Sequence, residues 1–326
     1  MSIKYLFIRI LESCNAGCWF CGFANSGDSY RLSLEEYQKI ITEAKKANVE
    51  YIRFSGGETL LHKDLTEFVR IATENGIKTS IITNGFLLEK RIEELSKNGL
   101  NQVIVSLDEV SEHHNEIRKL PNLFERAIRG IEKANLLGVK TRVNTVCGPH
   151  NYKSMPKLQS IFSEKGVSYW ELSALKLDKI ITYNDGIDEI NSIVNQVYLE
   201  GKKEGKLVPF GKYWCGNTVE EQERYFAQSI PPRATGKCNM VNLVRYYDAK
   251  NKNLYMCSLL AHRGLSKEHY RSFDSIDEFS LIDEETEKIA KYFYYNGPSV
   301  CTGCSSTASG CSDMLSEGGK EFEFMY

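Results

Sequence analysis

Cys14-Asn15-Ala16-Gly17-Cys18-Trp19-Phe20-Cys21 places three thiols in one short loop directly after the apolar run Leu6-Phe7-Ile8-Arg9-Ile10-Leu11. A strand that ends in such a loop presents all three sulfurs to one small volume. A closed structural zinc site takes four ligands, whereas a cubic iron–sulfur cluster held by three cysteines keeps one iron open to a further ligand. The spacing alone also admits a zinc loop or incidental buried thiols, so the surrounding chain has to decide.

Outward from that loop, the composition narrows the field. A chain of 326 residues has room for one large domain or for a main domain and a smaller one. Lysine and arginine number 41 against 43 acidic residues, so no overall charge draws the protein to nucleic acid or a membrane surface. No stretch approaches the roughly 20 apolar residues that span a bilayer. The start, MSIKYLFIRI, alternates like a strand and lacks a small-residue cleavage site, which predicts a cytoplasmic protein. Ten cysteines in such a chain point to metal ligands, because the cytosol keeps thiols from forming a disulfide framework.

From Lys4 to about Leu172 a strand and helix unit recurs. Helical stripes run through Leu34, Tyr37, Ile41 and Ala44, then Leu65, Phe68, Val69 and Ala72. Helices are predicted to stop at Asn48, Gly76, Gly99, Gly138 and Gly166, residues that tolerate a left-handed backbone. After each stop comes a β-rich run: Tyr51–Phe54, Thr79–Ile82, Val103–Val105, Thr141–Asn144 and Ser168–Leu172. With the opening run these make six strands, and their alternation with helices predicts parallel pairing. Ligands collect at the carboxyl ends of such strands, and the cysteine loop follows the first of them. The next ends run into Ser55-Gly56-Gly57-Glu58, Thr83-Asn84-Gly85, Ser106-Leu107-Asp108 and Asn144-Thr145-Val146. A glycine pair lets the backbone approach a ligand closely, and a carboxylate such as Glu58 can accept from an ammonium group.

Beyond Leu172 the pattern changes. A helix is predicted over Asp188 to Lys203, with Ile190, Val194 and Val197 on one face, followed by an irregular stretch from Gly205 to Gly236. Val241–Tyr247 and Asn253–Met256, joined by a polar turn, predict a hairpin with Cys238 and Cys257 at its ends. Cys301 and Cys304 form a CxxC knuckle, with Cys311 nearby. Four thiolates from this set suit structural zinc as well as an iron–sulfur cluster.

CxxxCxxC with an aromatic residue, Phe20, before the third cysteine resembles the radical S-adenosylmethionine (radical SAM) superfamily, and the GGE, TNG and SLD turns agree with it. The resemblance implies an α/β fold: a partial (β/α)6 TIM-like barrel over residues 1–173, a linker and substrate-facing segment over 174–235, and a small cysteine-rich SPASM or twitch-type extension over 236–326. It implies a [4Fe-4S] cluster on Cys14, Cys18 and Cys21 whose open iron binds S-adenosylmethionine (SAM), with Phe20, Ser55, Gly56, Gly57, Glu58, Ser106 and Asn144 in contact with SAM. An auxiliary [4Fe-4S] cluster falls on Cys238, Cys257, Cys301, Cys304 or Cys311. The full SPASM pattern needs more cysteines than these, which favours one auxiliary cluster.

The implied reaction is reductive cleavage of SAM to a 5′-deoxyadenosyl radical that abstracts a hydrogen atom, the electron coming from a flavodoxin or ferredoxin-type donor. The stretch from Leu11 to Ala24 is similar to members that modify sugars and nucleosides in natural-product pathways, cytosylglucuronic acid decarboxylase among them. The expected substrate is therefore a sugar, cyclitol or nucleoside, and the outcome dehydrogenation, epimerisation or decarboxylation. Cys215, in the irregular stretch, is a candidate hydrogen-atom donor, and Asp108, Glu109, Glu171 and Arg142 at strand ends are candidate acids, bases or substrate contacts. Two other readings stand beside it. A peptide maturase of this superfamily often carries an N-terminal recognition domain, for which a first strand at Lys4 leaves no room. A non-catalytic metal-binding scaffold would not need the GGE turn.

Overall fold

The computed structural model describes residues 3–24, 26–174, 187–210, 238–258, 260–262 and 267–300. Strands β1 (Tyr5–Leu11), β2 (Tyr51–Gly56), β3 (Lys78–Thr83), β4 (Gln102–Ser106), β5 (Lys140–Cys147) and β6 (Tyr169–Ala174) lie side by side in chain order, and each neighbouring pair is parallel. Helices α1 (Leu34–Lys46), α2 (Leu65–Glu74), α3 (Leu88–Lys97), α4 (Ser111–Arg118), α5 (Leu123–Leu136) and α6 (Met155–Glu164) make the crossovers. Ser33 opens α1 with a capping box: its hydroxyl accepts from the Glu36 N–H, while the Glu36 carboxylate accepts from the Ser33 N–H. All five expected helix stops, Asn48, Gly76, Gly99, Gly138 and Gly166, have positive φ.

The alternation of side chains sorts the sheet into two unlike faces. In register across β1 to β4, Ile8, Phe54, Ile81 and Val103 form one row, and all are buried beneath the helices in the main apolar core. The opposite face sets Phe7 beside Arg53 and Ser80, Arg9 beside Ser55, Ile104 beside Arg142, and Ser106 beside Asn144 and Glu171. That inner face is polar and charged, yet largely buried. A parallel β/α sheet whose inner face is not filled by apolar side chains has room for chemistry there.

The sheet reaches further than six strands. The expected hairpin forms as β8 (Val244–Asp248) and β9 (Asn253–Tyr255), but β8 also pairs in parallel with β1, register Tyr5 with Val244 through Arg9 with Asp248. β7 (Pro209–Phe210), in a stretch expected to be irregular, pairs with β6 at the other edge, and β10 (Arg271–Ser272) pairs with β9. Among the described residues the sheet therefore has ten strands. Pairing β1 on both sides satisfies a row of N–H and C=O groups that six strands alone would leave at an open edge. Helix α7 (Ile187–Glu204) buries Ile190, Val194 and Val197 as their spacing predicts. Helix α8 (Glu284–Val300) packs Ile289, Ala290 and Phe293 against Val241, Tyr246, Tyr255 and Met256 in a second, smaller core. Among the described residues no helix is long and apolar enough to cross a membrane.

An aromatic cluster fixes the first two helices to the sheet. The fully buried Phe68 stacks on Tyr37 at 4.2 Å between ring centroids and contacts Phe54 and His62, while the Tyr37 hydroxyl donates to the Phe68 carbonyl at 3.0 Å. Phe68→Ala is expected to cost about 3–5 kcal/mol and Tyr37→Phe about 1 kcal/mol, read from the urea midpoint of each variant.

Candidate functional site

The cysteine loop leaves β1 at its carboxyl end and is held by two local hydrogen bonds and one to the end of α4. The Gly17 N–H donates to the Arg118 carbonyl at 2.9 Å, the Cys21 N–H to the Cys18 carbonyl at 3.2 Å, and the Ala16 N–H to the Cys14 sulfur at 3.4 Å. Burial pushes the Cys14 thiol up to about 11; the Ala16 N–H opposes this, and Glu58, Cys18 and Cys21 add to it. Burial likewise raises Cys18, opposed by the Arg118 guanidinium, whose Nη1 lies 4.0 Å from the Cys18 sulfur. Among the described residues no three His, Cys, Asp or Glu side chains are closed into ligating geometry. The three thiols are nonetheless electrostatic neighbours, and three soft donors beside a buried cation suit an anionic iron–sulfur cluster better than a hard metal ion. Binding there would displace thiol protons.

The glycine pair lets its turn lie against the main chain that leads into the cysteine loop. The Gly57 N–H donates to the Leu11 carbonyl at 3.1 Å and the Glu58 N–H to the Ser13 carbonyl at 2.9 Å. A Cβ on Gly57 would collide with the Ser13 and Glu12 carbonyl oxygens, and one on Gly56, at φ +148°, with the Leu11 carbonyl oxygen. The close approach is thus to the main chain of the cysteine loop's own entry. Glu58 is buried, and both carboxylate oxygens already accept: Oε1 from the Thr83 hydroxyl at 2.6 Å and the Leu60 N–H at 3.0 Å, Oε2 from the Asn84 N–H at 2.7 Å. Burial still raises its pKa, against the lowering effect of those three donors. The Asn84 amide in turn donates to Asn15 Oδ1 at 2.8 Å. Three motifs that stand apart in the sequence form one network.

Asp108 is fully buried and tied down on every side. Its Oδ2 accepts from Arg118 Nε at 2.8 Å and pairs with Nη2 at 2.7 Å, and its Oδ1 accepts from the Val146 N–H at 2.9 Å. Its carbonyl accepts from the Asn151 amide at 2.6 Å, and its N–H donates to His114 Nδ1 at 3.2 Å. This geometry makes Asp108 an anchor for Arg118. The sequence does not mark Arg118, because α4 is short and polar, without an apolar stripe; its one signal is a cation placed to meet Asp108. Arg118 also lies 5.9 Å from the ring of Phe20, which packs edge-on to Trp19.

The remaining candidates fall into groups. Ser106 and Asn144 are register neighbours at the ends of β4 and β5, and Asn144 Oδ1 accepts from the Ser173 hydroxyl at 3.0 Å. The Ser55 hydroxyl donates to the Ile8 carbonyl at 3.3 Å. Arg142 and Glu171 form a buried ion pair on the inner face, while Glu109 accepts from the Val110 N–H. Cys147 is a fully buried thiol whose pKa burial raises. Cys238 and Cys257 both pack, partly buried, against the second core, and the Cys238 N–H donates to the Tyr294 carbonyl of α8 at 3.2 Å. Cys215, Cys301, Cys304 and Cys311 lie outside the described residues.

A parallel β/α sheet with a three-thiol loop at its carboxyl rim, braced by a buried glutamate and a buried arginine, defines an α/β protein built to hold a metal centre at that rim. The family model for the radical SAM superfamily matches residues 8–159. The Methanocaldococcus jannaschii protein named Probable GTP 3',8-cyclase is 33% identical over 210 residues, 56% of this chain and 70% of that relative. The GTP 3',8-cyclase of Campylobacter jejuni is 26% identical over 328 residues, 90% of this chain and 97% of that one. Among solved structures, Streptococcus suis SuiB bound to S-adenosylmethionine superposes with a TM-score of 0.65 at 18% identity, covering 89% of this chain and 68% of that one. The enzyme anSMEcpe with bound AdoMet gives a TM-score of 0.65 at 18% identity, covering 89% and 83%. The chain belongs to the radical SAM superfamily, and membership implies a [4Fe-4S] cluster and SAM as cofactors.

Two outcomes follow from this geometry. Gly57→Ala is expected to push the cysteine loop off β2 and to lower retained iron after anaerobic reconstitution severalfold, measured with the far-UV spectrum as a control for folding. His114, with burial as the main cause and Arg118 adding to it, has its pKa pushed down to about 3. Its folded value lies below the ordinary 6.5, so the stability it contributes is present above that value and is lost as pH falls from about 6.5 toward 3. Between pH 6.5 and 5 the wild type is expected to lose about 2 kcal/mol more than His114→Gln, at about 1.4 kcal/mol per pH unit, measured by urea unfolding at each pH.

Proposed function

We infer that this radical SAM enzyme abstracts a hydrogen atom from a polar small molecule, a sugar, cyclitol or nucleoside, leading to dehydrogenation, epimerisation or decarboxylation. The observation that carries this reading is the charged inner face of the sheet, where the buried Arg53, Arg142, Glu171 and Asp248 and the half-buried Arg9 lie on one side of the strands. Charged groups held out of water favour a ligand rich in hydrogen-bonding groups. With cluster and SAM bound, the site would supply a 5′-deoxyadenosyl radical. The chain's own part is to hold and shield: Cys14, Cys18 and Cys21 as ligands, Arg118 balancing their charge, Phe20, Ser55, Gly56, Gly57, Ser106 and Asn144 around SAM, and Glu58 fixing the turn between them.

Curated relatives named for GTP support the nucleoside end of the substrate range. The likeness to SuiB bound to its precursor peptide, at 18% identity, concerns the fold alone, and the peptide reading therefore takes second place. We assign an auxiliary [4Fe-4S] cluster to Cys238, Cys257 and the distal cysteines Cys301, Cys304 or Cys311, because the first two share one core with the helix that leads to Cys301. Cys215 is assigned as hydrogen-atom donor if the reaction is an epimerisation.

Anaerobic reconstitution should give about eight irons per chain, and about four would leave the second set to zinc. Cys14→Ala should abolish formation of 5′-deoxyadenosine on reduction. Deuterated small molecules should pass label to 5′-deoxyadenosine; transfer from a peptide alone would reject the small-molecule reading. Solvent deuterium entering the product only when Cys215 is present would select epimerisation.

A further inference from the structure

The cysteine loop is closed twice, and one side chain lies at the centre of the second closure. Main-chain bonds make the first: the Leu32 N–H donates to the Ile10 carbonyl at 2.8 Å and the Glu12 N–H to the Tyr30 carbonyl at 3.2 Å, around an antiparallel bridge of Leu11 with Arg31. These bonds fix where the chain leaves and returns. They do not gather the shorter stretch from Cys14 to Cys21 that lies within, and the wider the loop, the more conformations it can adopt.

Arg9 makes the second closure. Residues three apart on a regular strand point to opposite faces, yet Arg9 and Glu12 form an ion pair. The register of β1 against β2 breaks between Arg9 and Leu11, which turns Glu12 back toward Arg9. The same guanidinium lies 4.6 Å from the ring centre of Phe23. Glu12 stands two residues before Cys14 and Phe23 two residues after Cys21. One cation therefore grips the chain on both sides of the three thiols.

That cation is itself held from β8. Arg9 Nη1 donates to Asp248 Oδ2 at 3.0 Å, and the buried Asp248 also accepts from the Asn251 amide at 2.8 Å in the turn that follows β8. From the same turn Lys250 pairs with Asp28 on the return of the cysteine loop. A planar guanidinium can serve all three partners together, its edge to the carboxylates and its face to the ring, as a compact ammonium cannot. Neutralising Asp248 alone would need neither Glu12 nor the ring of Phe23.

We propose that Arg9 is a positioning residue for the iron–sulfur cluster: it draws together the two ends of the three-thiol stretch so that Cys14, Cys18 and Cys21 converge, and the β8–β9 hairpin acts on the loop through it. This role concerns the cluster and not the substrate, so rejection of the small-molecule reading would leave it standing.

The test uses arsenite on the oxygen-free, cluster-free full chain. Its As(III) bonds three thiolates, the three thiol protons leaving with its three hydroxyls as water and no atom changing oxidation state. The loop site is read as the equivalent of arsenite that wild type binds and Cys14→Ala does not. Affinity there should fall about fivefold or more in Arg9→Gln, and about threefold or more in Phe23→Leu and in Asp248→Asn. Arg9→Lys, which keeps the charge without the planar face, should fall between wild type and Arg9→Gln. Because Phe23 acts through Arg9, the double variant Arg9→Gln/Phe23→Leu should lose no more than Arg9→Gln alone. Phe23→Leu should keep the wild-type urea midpoint, which a merely structural role would lower together with the affinity. After anaerobic reconstitution, a chelator should remove the iron that Cys14→Ala lacks in the same order of ease. If Arg9→Gln does not fold, Phe23→Leu and Asp248→Asn decide. The proposal is overturned if both of these bind arsenite as wild type does, if the losses in the double variant simply add, or if affinity falls only in step with the urea midpoint. It is overturned too if Cys14→Ala binds as much arsenite as wild type, since the loop then gathers no three-thiol site.

Discussion

The carboxylate of Glu58 holds the rim together. It is buried, and what makes that tolerable is that Thr83, Leu60 and Asn84 each give it a hydrogen bond. Through those bonds the end of β2 is locked to the end of β3, while the glycine pair before it lets the same turn lie flat against the main chain of Leu11 to Ser13. The start of the cysteine loop has little freedom left. A loop whose three sulfurs must meet one small object gains from losing its conformational entropy before that object arrives.

A second brace acts from the other side. Asp108, at the end of β4, orients Arg118 toward the Cys18 sulfur, and His114 accepts from the Asp108 N–H. Neutral His114 suits a place already holding one cation, since a protonated ring would both repel Arg118 and lose its acceptor nitrogen. The two braces come from successive pairs of strands, so the parallel order of the sheet itself brings them to one rim.

Much of this was legible in the sequence, and the residues explain why. The strands around Phe54, Ile81 and Val103 are short β-rich runs, and the helix stop before each is marked by a residue that accepts positive φ. Those are local signals. The cysteine spacing was equally plain, because the chemistry needs three ligands from one loop. Arg118 was hidden because its meaning depends on Asp108 across a turn. Glu58 was visible through its GGE motif, but its partners Thr83 and Asn84 are contributed by the end of the next strand, so its bracing role was not. The hairpin of β8 and β9 was legible too, but its parallel pairing with β1 was not, because that contact lies in no window of sequence.

That last pairing gives the chain an order of assembly. Tyr5 meets its partner Val244 only after the whole intervening β/α chain has been synthesised. Until then one side of β1, the strand that delivers the cysteine loop, is an uncovered template for any passing strand. Closing so long a circuit is slow compared with forming local β/α units. Misassembly is therefore most dangerous in the nascent polypeptide, along the open side of β1, and the hairpin of β8 and β9 acts as a clasp that ends the exposure.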